Sequence, residues 1–285
     1  MRKLLIILLT PLALSVLLVL ALRWLPPPIT SFMLQSPVHP VRYQWVPAER
    51  IPDLMRKAVV ASEDQRFWTH SGFDFDAMEK AYRQNQRHAR HHGKQRGGST
   101  ISQQTAKNLF LWSGGGYLRK GIEAYFTVLM ETLWPKQRIL EIYLNVAEFG
   151  PGVYGVEAAA QAYLHKPAAQ LSAAEAARLA AVLPSPRRWL AASPGPYVQT
   201  RIAWILRQMG YGEPRPDDEE PIDQSAPEDP GAAPADNADL PTPELPAPAP
   251  DHETLPPARP LPAPGQETLP PAELPENPGT QPPAP

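Results

Sequence analysis

The sequence predicts an all-α fold on three observations. Apolar residues recur at helical spacing through most of residues 51–211, and no stretch of useful length alternates as a β-strand would. Capping residues stand in front of these segments, and proline or glycine stands behind them. A separate observation concerns stability. Cysteine is absent, so no disulfide can form, and packing alone must stabilise the domain if it is exported.

The N-terminus predicts a membrane anchor. Arg2 and Lys3 precede an apolar run from Leu4 to Leu22, which is about long enough to cross a bilayer as one helix. The leading positive charges favour an N-terminus in the cytoplasm and a domain outside it. A cleaved signal peptide is the competing interpretation, but a tryptophan and three prolines follow the run, without a small-residue cleavage site. We therefore expect the anchor within residues 1–25.

Residues 26–50 predict a juxtamembrane connector, because six prolines disfavour a long helix there. Their apolar side chains fit packing on the domain and contact with lipid equally well. The globular domain is expected over residues 51–212. Its helices are expected after Pro52 and over Phe75–Gln84, Thr100–Leu109, Tyr117–Trp134, Ile139–Val146, Val153–Leu164, Ser172–Leu183 and Tyr197–Met209.

Local signals justify these helices in turn. Pro52 suits the first turn of the opening helix, and Asp74 suits an N-cap. Thr100 with Gln103 matches the capping-box pattern, as do Ser172 and Glu175. The stop signals are Pro135, Pro184, Pro186 and Gly210.

Residues 61–74, ASEDQRFWTHSGFD, are the first candidate site. Glu63 and Asp64 follow an apolar helix and stand near two aromatic residues, where burial can raise the pKa of a carboxyl group toward neutrality. Such a group can act as a general acid or base. The stretch fits an ordinary helix end equally well, so the rest of the chain has to decide.

A basic loop, Arg83–Arg96, follows. Its histidines, His88, His91 and His92, could be metal ligands, but no cysteine or carboxylate joins them and nothing fixes their geometry. We therefore favour a solvated loop, whose charge can gather phosphates or anionic head groups.

The next stretch predicts ligand contact. Gly97 and Gly98 precede a capped helix, which leaves free N–H groups at its N-terminus. This helix carries polar residues on one flank, and no GK[ST] sequence makes it a Walker loop. Arg119 and Glu123 then fit a surface ion pair or, beside Glu63, a site where cations hold a departing pyrophosphate.

The ordered motifs carry a family resemblance. The sequence contains EDxxFxxHxGxD, GGSTIxQQxxKNL, RKxxE and RILExYLN, then YGVEAAAxxY and SxxEAAxLAxxLPSP. Together they resemble the peptidoglycan glycosyltransferases of family 51 over about residues 60 to 205. The segment WPKQRILEIYLNVAEFGPGVYGVEAAA is similar to the monofunctional branch. The absence of SxxK and KTG fits, since those motifs belong to penicillin-binding transpeptidases.

The resemblance implies a lysozyme-like helical fold and polymerisation of lipid II into β-1,4-linked glycan, with inversion and release of undecaprenyl pyrophosphate. It implies that Glu63 is the base that deprotonates the acceptor 4-hydroxyl and that Glu123 is the second essential carboxylate. The positions expected to hold the diphosphate are Lys107, Arg119 and Lys120. The positions expected to contact substrate are Ser99, Gln103 and Gln104.

The resemblance also predicts the surroundings. The expected partners are lipid II, the growing glycan chain, membrane lipids and other cell-wall synthesis and division proteins, with no nucleic acid. No cofactor is required by the motifs, although a divalent cation, Mg or Mn, is compatible with the pyrophosphate site. The expected location is the bacterial inner membrane, crossed once, with the catalytic domain in the periplasm.

Two other function classes compete with polymerisation. A lysozyme-like fold with a catalytic glutamate could cleave glycan, as a muramidase or lytic transglycosylase does, and a scaffold without activity is a third class. The second glutamate, the cationic residues and the anchor favour synthesis over cleavage. The intact pair of Glu63 and Glu123 disfavours a scaffold.

The charge distribution separates the domain from a C-terminal tail. Residues 213–285 hold 16 acidic and 2 basic residues, against 13 acidic and 25 basic residues before them. A basic body suits an anionic partner such as phosphate or a membrane surface. The acidic, proline-rich tail is expected to stay disordered.

Overall fold

Ten α-helices and three short β-strands form the regular structure of the residues that this computed structural model describes, which are 2–89, 98–213 and 220–221. The helices are α1 (Arg2–Leu22), α2 (Ser31–Leu34), α3 (Asp53–Glu63), α4 (Phe75–Ala89), α5 (Ile101–Phe110), α6 (Gly116–Leu133), α7 (Lys136–Val146), α8 (Val156–Leu164), α9 (Ala173–Ala181) and α10 (Pro196–Gln208). The strands are β1 (Arg42–Tyr43), β2 (Glu148–Gly150) and β3 (Val153–Tyr154). Short 3₁₀ helices span Ala48–Arg50 and Ala168–Gln170.

The predicted helical fold is confirmed, and the sheet is the part that the sequence did not predict. The strand order is β1-β3-β2, with β1 parallel and β2 antiparallel to β3. Strands of two or three residues are too short to show an alternating pattern. The helix expected from Val153 therefore begins at Val156, after the strand and Gly155.

Helix α5 packs against α6, α7 and α2, and α3 packs against α9 and α10. The apolar face of α3 is buried at Met55, Ala58 and Val59. Both predicted capping boxes are present, at the starts of α5 and α9. Hydrogen bonds from Ile101 to Asp64 and from Gln104 to Glu63 join the two groups where α3 ends and α5 begins, and the candidate site lies there.

Helix α1 contacts α6 and the start of α7. Val19 is fully buried, and its carbonyl oxygen accepts a hydrogen bond of 2.8 Å from the indole nitrogen of Trp134. The guanidinium of Arg138 donates to the carbonyl oxygens of Leu22, at 2.9 Å, and Leu25, at 2.8 Å. Within residues 2–89, 98–213 and 220–221, no helix has the combined length and apolar character needed to cross a membrane.

Two predicted features fall largely outside the described residues. They are residues 90–96 of the basic loop, with the side chains of His88, His91 and His92, and the tail apart from residues 213, 220 and 221. The predicted start of the loop at Arg83 is wrong, because residues 83–89 continue α4, and most of their residue types favour a helix. For the residues outside the description, the solvated loop and the disordered tail stay predictions.

Candidate active site

Glu63 is the last residue of α3, and only 7% of its side chain is exposed. Its Oε2 accepts a hydrogen bond of 3.0 Å from Nε2 of Gln104. Its Oε1 lies 3.6 Å from a guanidinium nitrogen of Arg201 and has no hydrogen-bond partner among the described residues. Burial raises the pKa of Glu63, while the charge of Arg201 and the bond from Gln104 act to lower it. Such a carboxylate is suited to accept a proton.

Gln104 reaches Glu63 because the start of α5 is fixed beside the end of α3. Thr100 Oγ1 accepts from the backbone N–H of Gln103 at 3.2 Å, and Gln103 Oε1 accepts from that of Thr100 at 3.0 Å. Asp64 adds a link between the two helices, since its Oδ2 accepts from the backbone N–H of Ile101 at 3.0 Å. Asp64 therefore orients the site and does not duplicate the role of Glu63.

His70 and Gly72 hold the turn that follows α3 and leads to α4. The backbone N–H of Gly72 donates to Nδ1 of His70 at 3.1 Å, so a neutral imidazole carries its proton on Nε2. That Nε2 lies 2.9 Å from Oδ1 of Asp64, to which it donates. Gly72 has a φ of +90°, and a Cβ there would lie 2.8 Å from Cγ2 of Thr127. Only glycine fits this turn without displacing α6.

Glu123, the second predicted carboxylate, lies on the buried face of α6 with 3% of its side chain exposed. Its Oε2 accepts from Arg119 at 2.8 Å, and its Oε1 accepts from the ammonium group of Lys120. The same ammonium donates to Oγ of Ser99 at 3.4 Å. Because the carboxylate neutralises only part of this charge, the cluster keeps a net positive charge suited to phosphate oxygens.

Lys107 lies between the two carboxylates in electrostatic terms. Burial lowers the pKa of Lys107, and the charges of Glu123 and Glu63 both act to raise it. Its ammonium nitrogen lies 5.4 Å from the ring centre of Phe32, within the range of a cation–π contact. The charges of both carboxylates therefore act on this one lysine.

The predicted residues therefore divide into groups. Gln104 bonds to Glu63, Arg119 and Lys120 bond to Glu123, and Ser99 joins this second group only through Lys120. The charges of both carboxylates act on Lys107, that of Glu123 more strongly. Gln103 is 3% exposed and its side-chain oxygen is used by the capping box. Its contact with substrate stays a prediction, as do the binding roles of the other residues.

Two residues beside Glu63 were missed by the sequence reasoning. Tyr143 on α7 donates from its hydroxyl to Oε1 of Gln104 at 3.2 Å, which turns the amide nitrogen of Gln104 toward Glu63. Arg201 on α10 is 1% exposed and also donates to the carbonyl oxygen of Ser62 at 3.2 Å. An arginine at a helical position otherwise occupied by apolar residues was the available signal for Arg201.

Glu131 has a bonding role in the scaffold. Its Oε1 accepts from Oγ of Ser102 at 2.5 Å and from Nζ of Lys136 at 2.7 Å. The same ammonium lies 4.5 Å from the ring centre of Phe67. Glu131 therefore joins α6 to α5 and α7.

The connector packs on the domain beside this site. Met33 is fully buried, and Phe32 lies against Lys107. Gln35 donates from its amide nitrogen to the carbonyl oxygen of Leu111 at 3.0 Å and accepts from the backbone N–H of Ser113 at 3.0 Å. The connector thus fixes the end of α5.

Comparison with known proteins identifies the family. The model of a family described as Transglycosylase matches residues 31–210. The chain belongs to the transglycosylase family. The matched region of this transglycosylase contains Glu63, Glu123, Arg201 and part of the connector.

Curated relatives agree with this assignment. The transglycosylase is 54% identical over 195 residues to a biosynthetic peptidoglycan transglycosylase of Aeromonas hydrophila, covering 66% of this chain and 81% of the relative. It is 52% identical over 216 residues to a protein of the same name from Pseudomonas aeruginosa, covering 73% and 91%. A third, from Pasteurella multocida, is 54% identical over 202 residues, covering 67% and 80%. The predicted family and its glycosyl-transfer activity are confirmed.

The donor set around Glu123 does not by itself fit a divalent cation. Mg²⁺ bound by a protein takes several oxygen ligands, whereas both carboxylate oxygens of Glu123 are already bonded to cationic side chains. In the described part of the transglycosylase, no group of three or more His, Cys, Asp or Glu residues could hold a metal ion. The Mg or Mn ion expected at the pyrophosphate stays a prediction, and no step below uses it.

Proposed function

We propose that this transglycosylase polymerises lipid II into β-1,4-linked glycan strands of peptidoglycan and releases undecaprenyl pyrophosphate. The observation that carries the proposal is the separation of tasks between two buried carboxylates. Glu63 has a free oxygen and one cationic neighbour at 3.6 Å, while Glu123 is bonded to Arg119 and Lys120. Names of relatives sharing about half of their residues with this chain support peptidoglycan as the product.

The proposed reaction begins at Glu63. Its carboxylate takes the proton of the acceptor 4-hydroxyl as that oxygen forms a bond to the anomeric carbon of the lipid-linked chain. The bond from that carbon to the pyrophosphate oxygen breaks, and the leaving group takes the electron pair. Attack opposite to the leaving group inverts the configuration at the anomeric carbon.

The surroundings of Glu63 suit this proton transfer. The base must be ionised before reaction, and the charge of Arg201 and the hydrogen bond from Gln104 favour the ionised form. Burial raises the pKa of Glu63, which makes the carboxylate a stronger base than it would be in water.

The cationic cluster suits the departing diphosphate. Negative charge grows on the pyrophosphate as its bond to carbon breaks, and preorganised cations stabilise that charge without rearranging. Arg119 is held by its bond to Glu123 at 2.8 Å, so its position is fixed before substrate binds. Lys107 feels the charges of both carboxylates, so its ammonium group is suited to the same developing charge.

We also propose that the apolar run in α1 anchors the enzyme in the bacterial inner membrane with the domain in the periplasm, although α1 as described does not reach the length and apolar character of a membrane span. Support comes from the apolar run of residues 4–22 and from exposed leucines on this helix, such as Leu14 and Leu17. Extraction of membranes at alkaline pH tests this proposal. The full chain should stay with the membrane, and a chain lacking residues 1–25 should be released.

Labelled lipid II tests the reaction. The purified chain should form glycan polymer, and Glu63→Gln should lower the rate by at least ~100-fold, because general-base catalysis contributes about that much. Glu49→Gln removes the same charge at an exposed position and should match the wild type. Release of soluble fragments from finished peptidoglycan, without polymer from lipid II, would instead establish a lytic enzyme. If Glu63→Gln retained whichever activity the wild type shows, polymerisation or cleavage, the role of Glu63 as base would be contradicted.

A further inference from the structure

The guanidinium of Arg201 is shared between two carboxylates. One is Glu63, whose Oε1 lies 3.6 Å away, and the other is Glu220, to which Arg201 is directly ion-paired. Arg201 is 1% and Glu63 7% exposed, so water screens their attraction little, whereas the Glu220 side chain is 31% exposed and its pair with Arg201 is partly screened. Glu220 belongs to the acidic tail and lies beyond residue 210, where the family match ends.

A second contact holds the same piece of tail. The hydroxyl of Tyr197 donates to the carbonyl oxygen of Pro221 at 3.1 Å. Tyr197 lies four residues before Arg201, so the two side chains leave the same face of α10. Residues 220 and 221 are therefore attached to α10 through adjacent side chains, one by charge and one by a hydrogen bond.

We propose that Glu220 is a positioning residue for the general base, acting through Arg201. By sharing the guanidinium, Glu220 weakens the hold of Arg201 on Glu63 and leaves that carboxylate readier to take a proton. This inference rests on the proposed function of Glu63. It assigns a direct effect on the reaction to a tail residue that lies outside the motifs of the domain.

The charges facing Glu63 set the direction of the effect. Arg201 from α10 and Lys107 from α5 favour the ionised carboxylate, whereas Glu220 opposes it. The phenol of Tyr143, from α7, is buried nearby and stays protonated, since burial raises the pKa of Tyr143 well above its ordinary value. Removing the charge of Glu220 would leave Glu63 as the one carboxylate beside the guanidinium among the described residues, so the pKa of Glu63 should fall.

The test is the pH dependence of lipid II polymerisation by the full chain. In Glu220→Gln the acidic limb of the profile should move to lower pH by roughly half a unit or more, since charges within a few ångströms shift a pKa by about that much. At a pH below the wild-type midpoint, the variant should then be about threefold faster. The rate on the plateau should change less than about twofold.

Two further variants complete the experiment. Glu213→Gln removes a charge from an exposed position of the same tail and should follow the wild-type profile. Tyr197→Phe removes the bond to Pro221 and should shift the limb in the same direction as Glu220→Gln, by a smaller amount. If Glu220→Gln lowers the yield of folded protein, Tyr197→Phe still tests the same contact between the tail and α10.

The outcomes separate this inference from the proposed function. Profiles of Glu220→Gln and Glu213→Gln that coincide with that of an active wild type would overturn the inference and leave the function standing. A shift of the limb to higher pH would overturn it as well. A wild-type chain that makes no polymer from lipid II would overturn the proposed function itself, and this inference with it.

Discussion

Replacing Asp64 by alanine tests whether the end of α3 and the start of α5 are held together by this carboxylate. Asp64 accepts a hydrogen bond from Nε2 of His70 at 2.9 Å and another from the backbone N–H of Ile101 at 3.0 Å. Asp64 → Ala leaves both donors buried without an acceptor. Bulk water cannot supply the missing acceptor, because the side chain of Asp64 is 2% exposed.

The expected loss of stability follows from these two bonds. Leaving one buried donor unsatisfied costs roughly 1–3 kcal/mol, so the free energy of unfolding should fall by about 3 kcal/mol. In a domain of this size each kcal/mol lowers the unfolding midpoint by about 2–4 °C. The midpoint should therefore fall by roughly 6–12 °C. Asp64→Asn keeps one acceptor oxygen and should lie between the alanine variant and the wild type.

Thermal unfolding followed by circular dichroism measures this change. Asp53→Ala is the matched control, since Asp53 is on the same helix with 80% of its side chain exposed and pairs only with Arg56 among the described contacts. Exposed pairs contribute less than about 1 kcal/mol, so its midpoint should stay near that of the wild type. Midpoints of Asp64→Ala and Asp53→Ala within about 2 °C of each other would refute the reasoning.

Three further predictions concern the scaffold. Asn145→Ala should lower the free energy of unfolding by about 3 kcal/mol, measured by urea denaturation, because the buried amide bonds both backbone groups of Val46 at 2.8 and 2.9 Å. Gly155→Ala should prevent accumulation of soluble folded protein, since its Cβ would lie 2.5 Å from the carbonyl oxygen of Asn145 at a φ of +86°; normal yield would contradict this. Glu175→Gln should cost up to ~1 kcal/mol near neutral pH. The bond from Lys166 lowers the pKa of Glu175 from 4.5 to about 2, so its ionised form contributes fully to stability above pH 4.5 and loses that contribution as the pH falls toward 2. In denaturation curves measured over this pH range, the difference between Glu175→Gln and the wild type should therefore shrink to nothing.

Local sequence patterns predicted the parts of the site that depend on local structure. The capping box of Thr100 and Gln103 follows from residues three apart, and it places the start of α5 correctly. The two adjacent glutamines show where this reasoning ends. They point about 100° apart on the helix, so only one can face Glu63, and the sequence alone does not say which.

Contacts between distant segments could not be predicted in the same way. Arg201 reaches Glu63 from 138 residues further along the chain, and its place among the apolar residues of a helix indicates burial without showing which carboxylate it meets. The small sheet depends on pairing β1 with β3, far apart in sequence, and its strands are too short to show a period. Long-range packing decides both features.

The hydrogen bonds from Trp134 and Arg138 to the last turn of α1 bear on how the enzyme meets its substrate. The final carbonyl groups of a helix have no partners within the helix, and here the domain supplies donors to those of Val19 and Leu22. With α1 as the proposed anchor, the catalytic groups keep a constant height above the bilayer instead of moving on a loose tether. A lipid-linked sugar, itself confined to the membrane, then needs to search only two dimensions to reach them.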